Sequence, residues 1–396
     1  MKKNTETMTF GILILFLFCY FMRLFAFPNV LTALIGAGIC LVMVLQQKRI
    51  RIDAGICLLT LAMVSYYVIV NGGRGLFYVI LYLPLIFYVL ANYAVCRIRE
   101  EKDFEKKFRM LLFALVLRKA VYGVLNSYMY YAGYVVPGTR RWQDFWTGEI
   151  VPGTQHTAYY LPVLAMFFPA VLYFKERKVL NAVLILGTAF FGYSSLATRS
   201  RMSVVIFAIV FCLQAALFVW QEREKMQKLI SDRKTWVAGA ILLIGLIVGI
   251  FLVKDSPVGV AFIENMGKGG GILNNVRFST QRNALSQLFV YPMGGRQMEL
   301  GRDFCHNTWL DMANAGGLIP FAAFALYTMF TLYELIRFLL KKDITPETKL
   351  MTAGLYAASF LYLSVEPALD ASIHLVTPWI FVNGMVHGAI GKMRKS

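Results

Sequence analysis

The chain carries little charge for its length. Only 16% of its 396 residues are Asp, Glu, Lys or Arg, whereas 58% are hydrophobic. A soluble domain of this length does not bury so much apolar sequence, so the composition is typical of a polytopic membrane protein. Acidic residues are especially scarce, with 22 against 40 basic residues. In a soluble protein this excess would suggest nucleic acid, but membrane topology explains most of it here, and we expect no nucleic-acid partner.

Several chemical motifs are also missing. The six cysteines form no CxxC pair and no Cys/His cluster with zinc spacing, and five of them lie within or at the edge of apolar runs, so we expect no intramolecular disulfide. The sequence has no glycine-rich phosphate loop, no Asp-x-Asp motif in the loops expected outside, and no Gly-x-Ser-x-Gly motif. We therefore expect neither a metal site nor a cofactor.

Long apolar runs are what the chain has in abundance. Twelve of them are long enough to cross a bilayer. We place them near residues 10–26, 28–46, 54–70, 75–95, 109–125, 155–174, 179–197, 202–220, 236–253, 306–336, 350–366 and 372–390. The expected fold is an all-α polytopic membrane protein with about 12 transmembrane helices, forming a single integral membrane domain over residues 1–396.

The basic residues predict the orientation of these spans. With the N-terminus inside, the inner segments and Arg109 hold 26 of the 40 Lys and Arg residues, in accordance with the positive-inside rule. Both termini are then cytoplasmic, in a multi-pass protein of the cytoplasmic membrane. Two long loops, 126–154 and 254–305, are expected outside.

The loop 254–305, between spans 9 and 10, is the expected outer subdomain. We predict a short amphipathic helix there, capped by Ser279, carrying Arg282 and ended by the Tyr-Pro pair at 291–292. The glycines at 294–295 are then expected to turn the chain.

Nine arginines lie on the outer side, where the positive-inside rule predicts few. An anionic ligand at that face is the simplest explanation, and snorkelling to lipid head groups is the alternative for any one of them. Arg199 and Arg201 flank Ser200 at the start of span 8, where helix N-terminal amides and guanidinium groups both favour phosphate oxygens. Arg277 and Arg282 lie in the loop 254–305. To the remaining five we assign only a rim that attracts anions: Arg74, Arg140, Arg141, Arg296 and Arg302.

His306 is the strongest candidate for acid–base chemistry. It lies where the loop 254–305 enters span 10, and histidine accepts a proton near neutral pH, as a base for a hydroxyl nucleophile must. Asn307, Asp311 and Asn314 follow at helical spacing and share one face. A polar stripe entering an apolar span suggests a hydrated cavity that opens outward. In the alternative interpretation, the His and Asn residues simply cap the helix at the interface.

Charged residues at two further places need a partner. Arg118 and Lys119 lie inside span 5, where they either bind a lipid phosphate or mark the boundary of a shifted span. Glu366, Asp370 and His374 lie at the junction of the last two spans, where they bind sugar hydroxyls or, as the preferred interpretation, pair with an arginine.

Four segments together resemble a known family. Ser200-Arg201 opens a span, Ser279-Thr280-Gln281-Arg282 lies on the loop helix, and His306-Asn307-Thr308-Trp309-Leu310 precedes Ala315-Gly316-Gly317-Leu318-Ile319. Over about residues 195–325 this order resembles the superfamily of O-antigen ligases and Wzy-type O-antigen polymerases. The Arg282 neighbourhood departs from the Ser-Gly-Arg often seen in that family, which leaves Arg277 as a rival for the same role.

The resemblance implies a metal-independent, inverting glycosyltransferase that acts outside the cytoplasmic membrane. Its donor would be a glycan linked to undecaprenyl diphosphate, and its partners membrane lipids, a flippase and a chain-length regulator of a polysaccharide pathway. His306 matches the histidine proposed as base in the family, and Arg201 and Arg282 match the diphosphate-binding arginines. From the residues themselves we add candidate substrate contacts: Arg199, Arg277, Asn307, Asp311 and Arg118.

Four functions compete. Polymerisation of glycan repeat units is the first, and ligation of a finished glycan to another acceptor is the second, since both use the same donor. A flippase or anion transporter would need arginines along a path through both leaflets, whereas the polar residues here gather on the outer side. An acyltransferase that uses His306 would need a route for an acyl donor from the cytoplasm.

Overall fold

The computed structural model describes residues 2–21, 29–47, 51–71, 82–137, 139–174, 176–231, 254, 256–267, 276–371 and 373–390. These residues are mostly helical. The helices in the first part are α1 (Lys2–Phe21), α2 (Asn29–Gln47), α3 (Ala54–Asn71), α4 (Leu83–Ile98), α5 (Phe104–Tyr131), α6 (Gly153–Leu164), α7 (Phe167–Tyr173), α8 (Lys178–Ala197), α9 (Arg201–Gln221) and α10 (Arg223–Ser231). Those in the second part are α11 (Pro257–Gly267), α12 (Val276–Gln287), α13 (Thr308–Gly316), α14 (Leu318–Leu340), α15 (Pro346–Leu363), α16 (Ala368–Ala371) and α17 (Thr377–Ile390), with a 3-10 turn at Ile373–Leu375.

Four helical segments are long and apolar enough to cross a membrane: Lys178–Ala197, Arg201–Gln221, Leu318–Leu340 and Ile373–Ile390. Five shorter apolar helices accompany them: Met8–Phe21, Leu31–Gln47, Ala54–Val70, Leu83–Ile98 and Ala158–Tyr173. Many large apolar side chains on these helices are exposed, such as Leu186 at 69% and Met329 at 68%. Apolar side chains that face outward on apolar helices are expected where the surroundings are lipid. The chain is therefore an all-α membrane protein apart from one small hairpin.

The helices connect two opposite ends of a bundle. At one end Tyr130 donates to the carbonyl of Ala197 (3.0 Å), and Gln281 and Asn307 both donate to the carbonyl of Ser364 (3.4 and 3.1 Å). We call this the arginine end, and it comprises residues 131–137, 139–153, 197–201, 276–308, 364–371 and 373–375. At the other end, residues 51–53, 93–109, 334–349 and 387–390 meet in the same way, for example through Lys341 and the carbonyl of Ala389 (3.2 Å).

Two of the predicted spans are not single helices. The predicted span 155–174 divides into α6 and α7, because Pro169 cannot donate a backbone hydrogen bond to residue 165. The predicted span 306–336 divides into α13 and α14 at Gly317, whose φ of 82° does not continue a helix. The predicted span 236–253 lies outside the described residues.

The two loops predicted to lie outside contain regular secondary structure. In the loop 126–154, α5 continues to Tyr131, and strands β1 (Arg141–Gln143) and β2 (Ile150–Pro152) then pair antiparallel, with Arg141 opposite Pro152. Trp142 of this hairpin is fully buried, and Gly153 is required beside it because a Cβ would lie 2.6 Å from the indole. The hairpin is thereby fixed against the end of the bundle.

The loop 254–305 contains two helices, α11 and α12, rather than one. The predicted cap was wrong: α12 begins at Val276, and Ser279 donates to the carbonyl of Val276 (2.8 Å) within the first turn. The helix also ends at Gln287, before the Tyr-Pro pair at 291–292. Its buried face carries Thr280 and Ala284, which pack toward α13.

The turn predicted at Gly294 and Gly295 is confirmed, with φ of 73° and 75°. It lies against the break between α13 and α14, where Leu318 donates to the carbonyl of Pro292 (2.8 Å) and Gly295 to that of Ala315 (3.0 Å). A Cβ on Gly317 would lie only 2.4 Å from the Pro292 oxygen. This backbone crossing joins the loop to the residues that follow His306.

Candidate functional site

His306 lies in a strained turn that two neighbours hold in place. Its φ is 54°, a conformation that is uncommon for a residue with a side chain. The Asp311 carboxylate accepts hydrogen bonds from the backbone amides on both sides, Cys305 (2.6 Å) and Asn307 (3.0 Å). The Asn307 side chain caps α13 by accepting from Trp309 and Leu310 (both 3.1 Å). Asn307 and Asp311 therefore position His306.

The expected hydrated cavity along the polar stripe was wrong. Asn307, Asp311 and Asn314 do share a face of α13, but that face packs against the chain that leads to it. Asp311 and Asn314 are only 2% and 3% exposed, and Asn314 accepts a hydrogen bond from the amide of Met298 (3.3 Å). The stripe is polar because the adjoining loop presents backbone amides that must be paired.

Glu366 joins His306 to Arg277. Its Oε1 lies 2.8 Å from Nη1 of Arg277, and its Oε2 lies 3.7 Å from Nδ1 of His306. The second distance is beyond a hydrogen bond, and within the described residues Nδ1 of His306 is buried without a hydrogen-bond partner. Arg277 donates in addition to the carbonyl of Val365 (2.8 Å). The preferred interpretation of Glu366, an ion pair with an arginine, is confirmed.

Backbone contacts make this group rigid. Gln281 on α12 donates to the carbonyl of His306 (3.0 Å), and Thr308 donates to the carbonyl of Glu366 (2.9 Å). The helix that carries Arg277, the turn that carries His306 and the turn that carries Glu366 are thus bonded directly to one another. Side chains held in this way keep their geometry when a ligand binds.

Four arginines come together beside this group. Burial lowers the pKa of the Arg140 guanidinium, and the positive charges of Arg277, Arg201 and Arg199 lower it further, whereas Glu366 raises it. Arg140 also donates to the carbonyl of Arg199 (3.1 Å), which ties the hairpin loop to the turn before α9. A guanidinium whose pKa is lowered by neighbouring positive charges is stabilised by an anion beside it. The arginine end is therefore an anion-attracting surface.

A cleft opens between the hairpin and the turn before α9. Its volume is about 210 Å³. It is lined by Thr139, Arg140, Arg141, Gly153, Thr198 and Ser200. Arg140 thus faces both the cleft and the other arginines.

The structure separates the two rival arginines of α12. Arg277 lies on the side that reaches Glu366, whereas Arg282 is exposed and makes no hydrogen bond or ion pair with the part of the chain that the structure describes. Five residues at about 100° each turn Arg282 roughly 140° away from Arg277 around the helix. The diphosphate-binding role of Arg282 remains a prediction, and the geometry brings Arg277 to His306.

The remaining predicted contacts lie elsewhere. Arg118 is buried midway along α5, donates to the carbonyl of Ile14 and lies over the Phe18 ring at 5.0 Å. Its neighbour Lys119 lies 4.4 Å from the centre of the Tyr159 ring. Their position midway along α5 argues against the alternative that they mark the end of a span. Both contact other helices of the bundle, and lipid-phosphate binding by Arg118 stays a prediction.

The other arginines that were predicted to lie outside have different surroundings. Arg141 lines the cleft, Arg302 is exposed, and Arg296 lies over the Phe304 ring at 5.8 Å. Arg74 lies outside the described residues, and so does the side chain of Asp370. His374 is described, and its ring lies 5.1 Å from that of Tyr20.

Sequence reasoning placed Arg140 in the general rim and missed its hydrogen bond to the carbonyl of Arg199. The signal was weak, since Arg140 and Arg141 lie next to each other in a polar loop with no motif around them. The hairpin beside Arg140 depends on Trp142 being buried, and an interfacial tryptophan looks the same in sequence.

Comparison of the chain with protein-family models, with curated proteins and with solved structures finds no match in any of the three.

Proposed function

We propose that the chain is a membrane glycosyltransferase. In this proposal it transfers a glycan from an undecaprenyl-diphosphate carrier to a sugar hydroxyl and thereby polymerises the repeat units of a surface polysaccharide such as O-antigen or capsule. The observation that carries the proposal is the ion pair of Arg277 with Glu366, whose other oxygen lies 3.7 Å from His306, with Arg140 within electrostatic range of Arg199, Arg201, Arg277 and Glu366. A leaving diphosphate requires positive charge, and an attacking hydroxyl requires a base.

The proposed topology puts this group outside the cytoplasm. Twelve spans with both termini cytoplasmic follow from the basic inner segments, and the arginine end is then the outer face of the cytoplasmic membrane. ATP and nucleotide sugars are absent there, so a lipid-linked donor has to bring its own leaving group. Its lipid tail stays in the bilayer, and the diphosphate is therefore held at the depth of the span ends.

The proposed reaction is a single displacement. The acceptor hydroxyl oxygen forms a bond to the anomeric carbon, while the bond from that carbon to the phosphate oxygen breaks and its electron pair leaves with the diphosphate. The hydroxyl proton passes to His306. Arg201 and Arg277, with Arg140 and Arg199 beside them, stabilise the diphosphate charge that develops. Attack from the face opposite the leaving group inverts the anomeric configuration.

In this reaction Glu366 acts through its neighbours. Its carboxylate holds Arg277 at 2.8 Å and lies 3.7 Å from His306, so it keeps the guanidinium and the imidazole on either side of one side chain. Asp311 and Asn307 keep the His306 turn in its strained conformation. These three are positioning residues, whereas His306 and the arginines touch the substrate.

Purified protein in proteoliposomes, given the lipid-linked repeat unit, tests the proposal. Release of undecaprenyl diphosphate together with lengthened glycan supports transfer, and movement of the intact donor across the bilayer without release supports a flippase instead. Polymerase and ligase are separated in cells. Loss of a glycan ladder in a knockout, with single units retained, indicates the polymerase, whereas loss of all attached glycan indicates the ligase.

A further inference from the structure

The cleft between the hairpin and the turn before α9 is lined by more hydrogen-bonding groups than a diphosphate requires. Besides Arg140, it is lined by Arg141 and by the hydroxyl residues Thr139, Thr198 and Ser200. We infer that this cleft binds an acidic sugar of the glycan, through its carboxylate on Arg141 and a ring hydroxyl on Thr198. The inference rests on the proposed function and names the class of sugar that it acts on.

The hydrogen-bonding capacity of the lining favours a sugar over a phosphate. Thr198 donates its proton to the carbonyl of Ser194 (2.8 Å), and Thr139 donates its proton to that of Val136 (2.9 Å). The Thr198 oxygen is thereby left as an acceptor, whereas the Thr139 oxygen already accepts from the amide of Arg141 (3.2 Å). Phosphate oxygens accept hydrogen bonds but have no proton to donate, whereas sugar hydroxyls do both. A sugar hydroxyl can therefore donate to Thr198, and a diphosphate cannot.

The positive charge of the residues that line the cleft also favours an anionic ligand. A guanidinium group offers only donors, in a fork that matches a carboxylate. Arg140 is already beside Arg201 and Arg277, where the proposed diphosphate lies. Arg141 is the next residue, and its backbone is fixed by hydrogen bonds from the amide of Val136 to its carbonyl (2.9 Å) and from its own amide to Thr139 (3.2 Å). Arg141 thus adds a second positive charge, and hydrogen bonds of its own fix its backbone.

The size of the cleft agrees with one sugar ring. Its volume of about 210 Å³ is below the roughly 300–1,000 Å³ typical of sites for drug-sized ligands. Gly153 keeps this space open, since a Cβ there would lie 2.6 Å from the Trp142 ring and 2.8 Å from the Arg140 carbonyl. A single monosaccharide fits such a volume, and a longer glycan would extend outward from it.

Titration of the purified protein with D-glucuronic acid, D-glucose and inorganic pyrophosphate, followed by saturation-transfer NMR, tests the inference. We expect glucuronic acid to bind at least about tenfold more tightly than glucose. Arg141→Gln should weaken glucuronic acid by about tenfold or more, the scale of one charged hydrogen bond, and should leave pyrophosphate within about twofold. Thr198→Val should weaken glucuronic acid without changing pyrophosphate binding. Arg223→Gln, an exposed arginine on α10 outside the cleft, is the matched control and should change neither.

Three outcomes overturn the inference. Equal affinity for glucose and glucuronic acid would mean that the cleft does not select charge. Equal weakening of pyrophosphate and glucuronic acid by Arg141→Gln would assign the cleft to the diphosphate. Absence of glucuronic acid binding, with pyrophosphate bound, would remove the acidic sugar and leave the proposed glycosyltransferase intact. The proposed function fails separately, when the lipid-linked donor releases no undecaprenyl diphosphate.

Discussion

Nδ1 of His306 lies 3.7 Å from Oε2 of Glu366, whose other oxygen lies 2.8 Å from Arg277. One carboxylate thus joins the proposed base to one of the arginines proposed to hold the leaving group. A similar arrangement occurs at the opposite end of the bundle, where Glu334 lies 3.1 Å from His387 and 2.9 Å from Arg337. The two glutamates are almost equally buried, at 6% and 4% exposed. The second cluster therefore serves as a control for the first.

Replacement of Glu366 by Gln should reduce transfer by about tenfold or more. The amide keeps the size of the side chain but removes the charge that holds Arg277, a loss on the scale of about 1.5–3 kcal/mol for a charged hydrogen bond. Initial rates of undecaprenyl diphosphate release measure the effect. Glu334→Gln should lower the thermal unfolding temperature about as much as Glu366→Gln does. It should nevertheless retain the activity per folded molecule. Equal loss of activity in both variants would show that Glu366 is only structural.

Replacement of Arg277 by Gln should abolish most of the transfer, whereas Arg282→Gln should retain most of it. Arg277 reaches Glu366, and Arg282 is exposed on another side of the same helix. The assay is incorporation of labelled repeat units by membranes that contain equal amounts of each variant. The opposite result would mean that α12 rotates when the donor binds and that Arg282 binds the diphosphate, as the family resemblance implies.

Replacement of Gly317 by Ala should destabilise the protein by about 2–6 kcal/mol, because its backbone conformation (φ 82°, ψ −169°), which is nearly restricted to glycine, costs about 1–3 kcal/mol and overpacking about 1–3 kcal/mol. The new Cβ would lie 2.4 Å from the Pro292 oxygen. Gly301→Ala is the matched control, since Gly301 also has a positive φ of 67° but no heavy atom within 4 Å of the Cβ. Thermal unfolding in detergent should show the larger shift for Gly317. Equal shifts would mean that the backbone crossing at Gly317 relaxes at no cost.

Removal of divalent metals should leave transfer unchanged. Arginines supply the positive charge in the proposed reaction, so the rate of release in EDTA should equal the rate in added Mg²⁺. Loss of activity in EDTA that is recovered with one particular divalent ion would overturn the arginine mechanism.

The sequence predicted the fold class, an all-α membrane protein, because long apolar runs are typical of helices that lipid surrounds. The breaks were harder to predict. Gly317 looks like any helix glycine until the Pro292 carbonyl is placed beside it, and Pro169 lies within a run that is apolar on both sides of it. The short hairpin at 141–152 has strands of three residues, which is too little sequence for an alternating pattern to be visible.

Much of the candidate site was also visible in the sequence, since His306, Arg201 and Arg277 were all named from residue type and position. Capping of the helix by Asn307 was the alternative interpretation and is confirmed. The role of Asp311 was not visible, because its carboxylate accepts from backbone amides of a turn whose conformation the sequence does not reveal. Arg140 and Glu366 depend on contacts between residues far apart in the chain, 59 residues for Arg140 with Arg199 and 89 for Glu366 with Arg277. One-dimensional patterns carry no information about such contacts.

The most direct test of the proposed function is the rate at which purified protein releases undecaprenyl diphosphate from a lipid-linked repeat unit, compared between the native chain and His306→Ala. A general base contributes about 10²- to 10⁴-fold. We predict a decrease of at least about 100-fold, with donor binding retained because the arginines are unchanged. A His306→Ala protein that binds the donor and releases undecaprenyl diphosphate at the native rate would contradict the account.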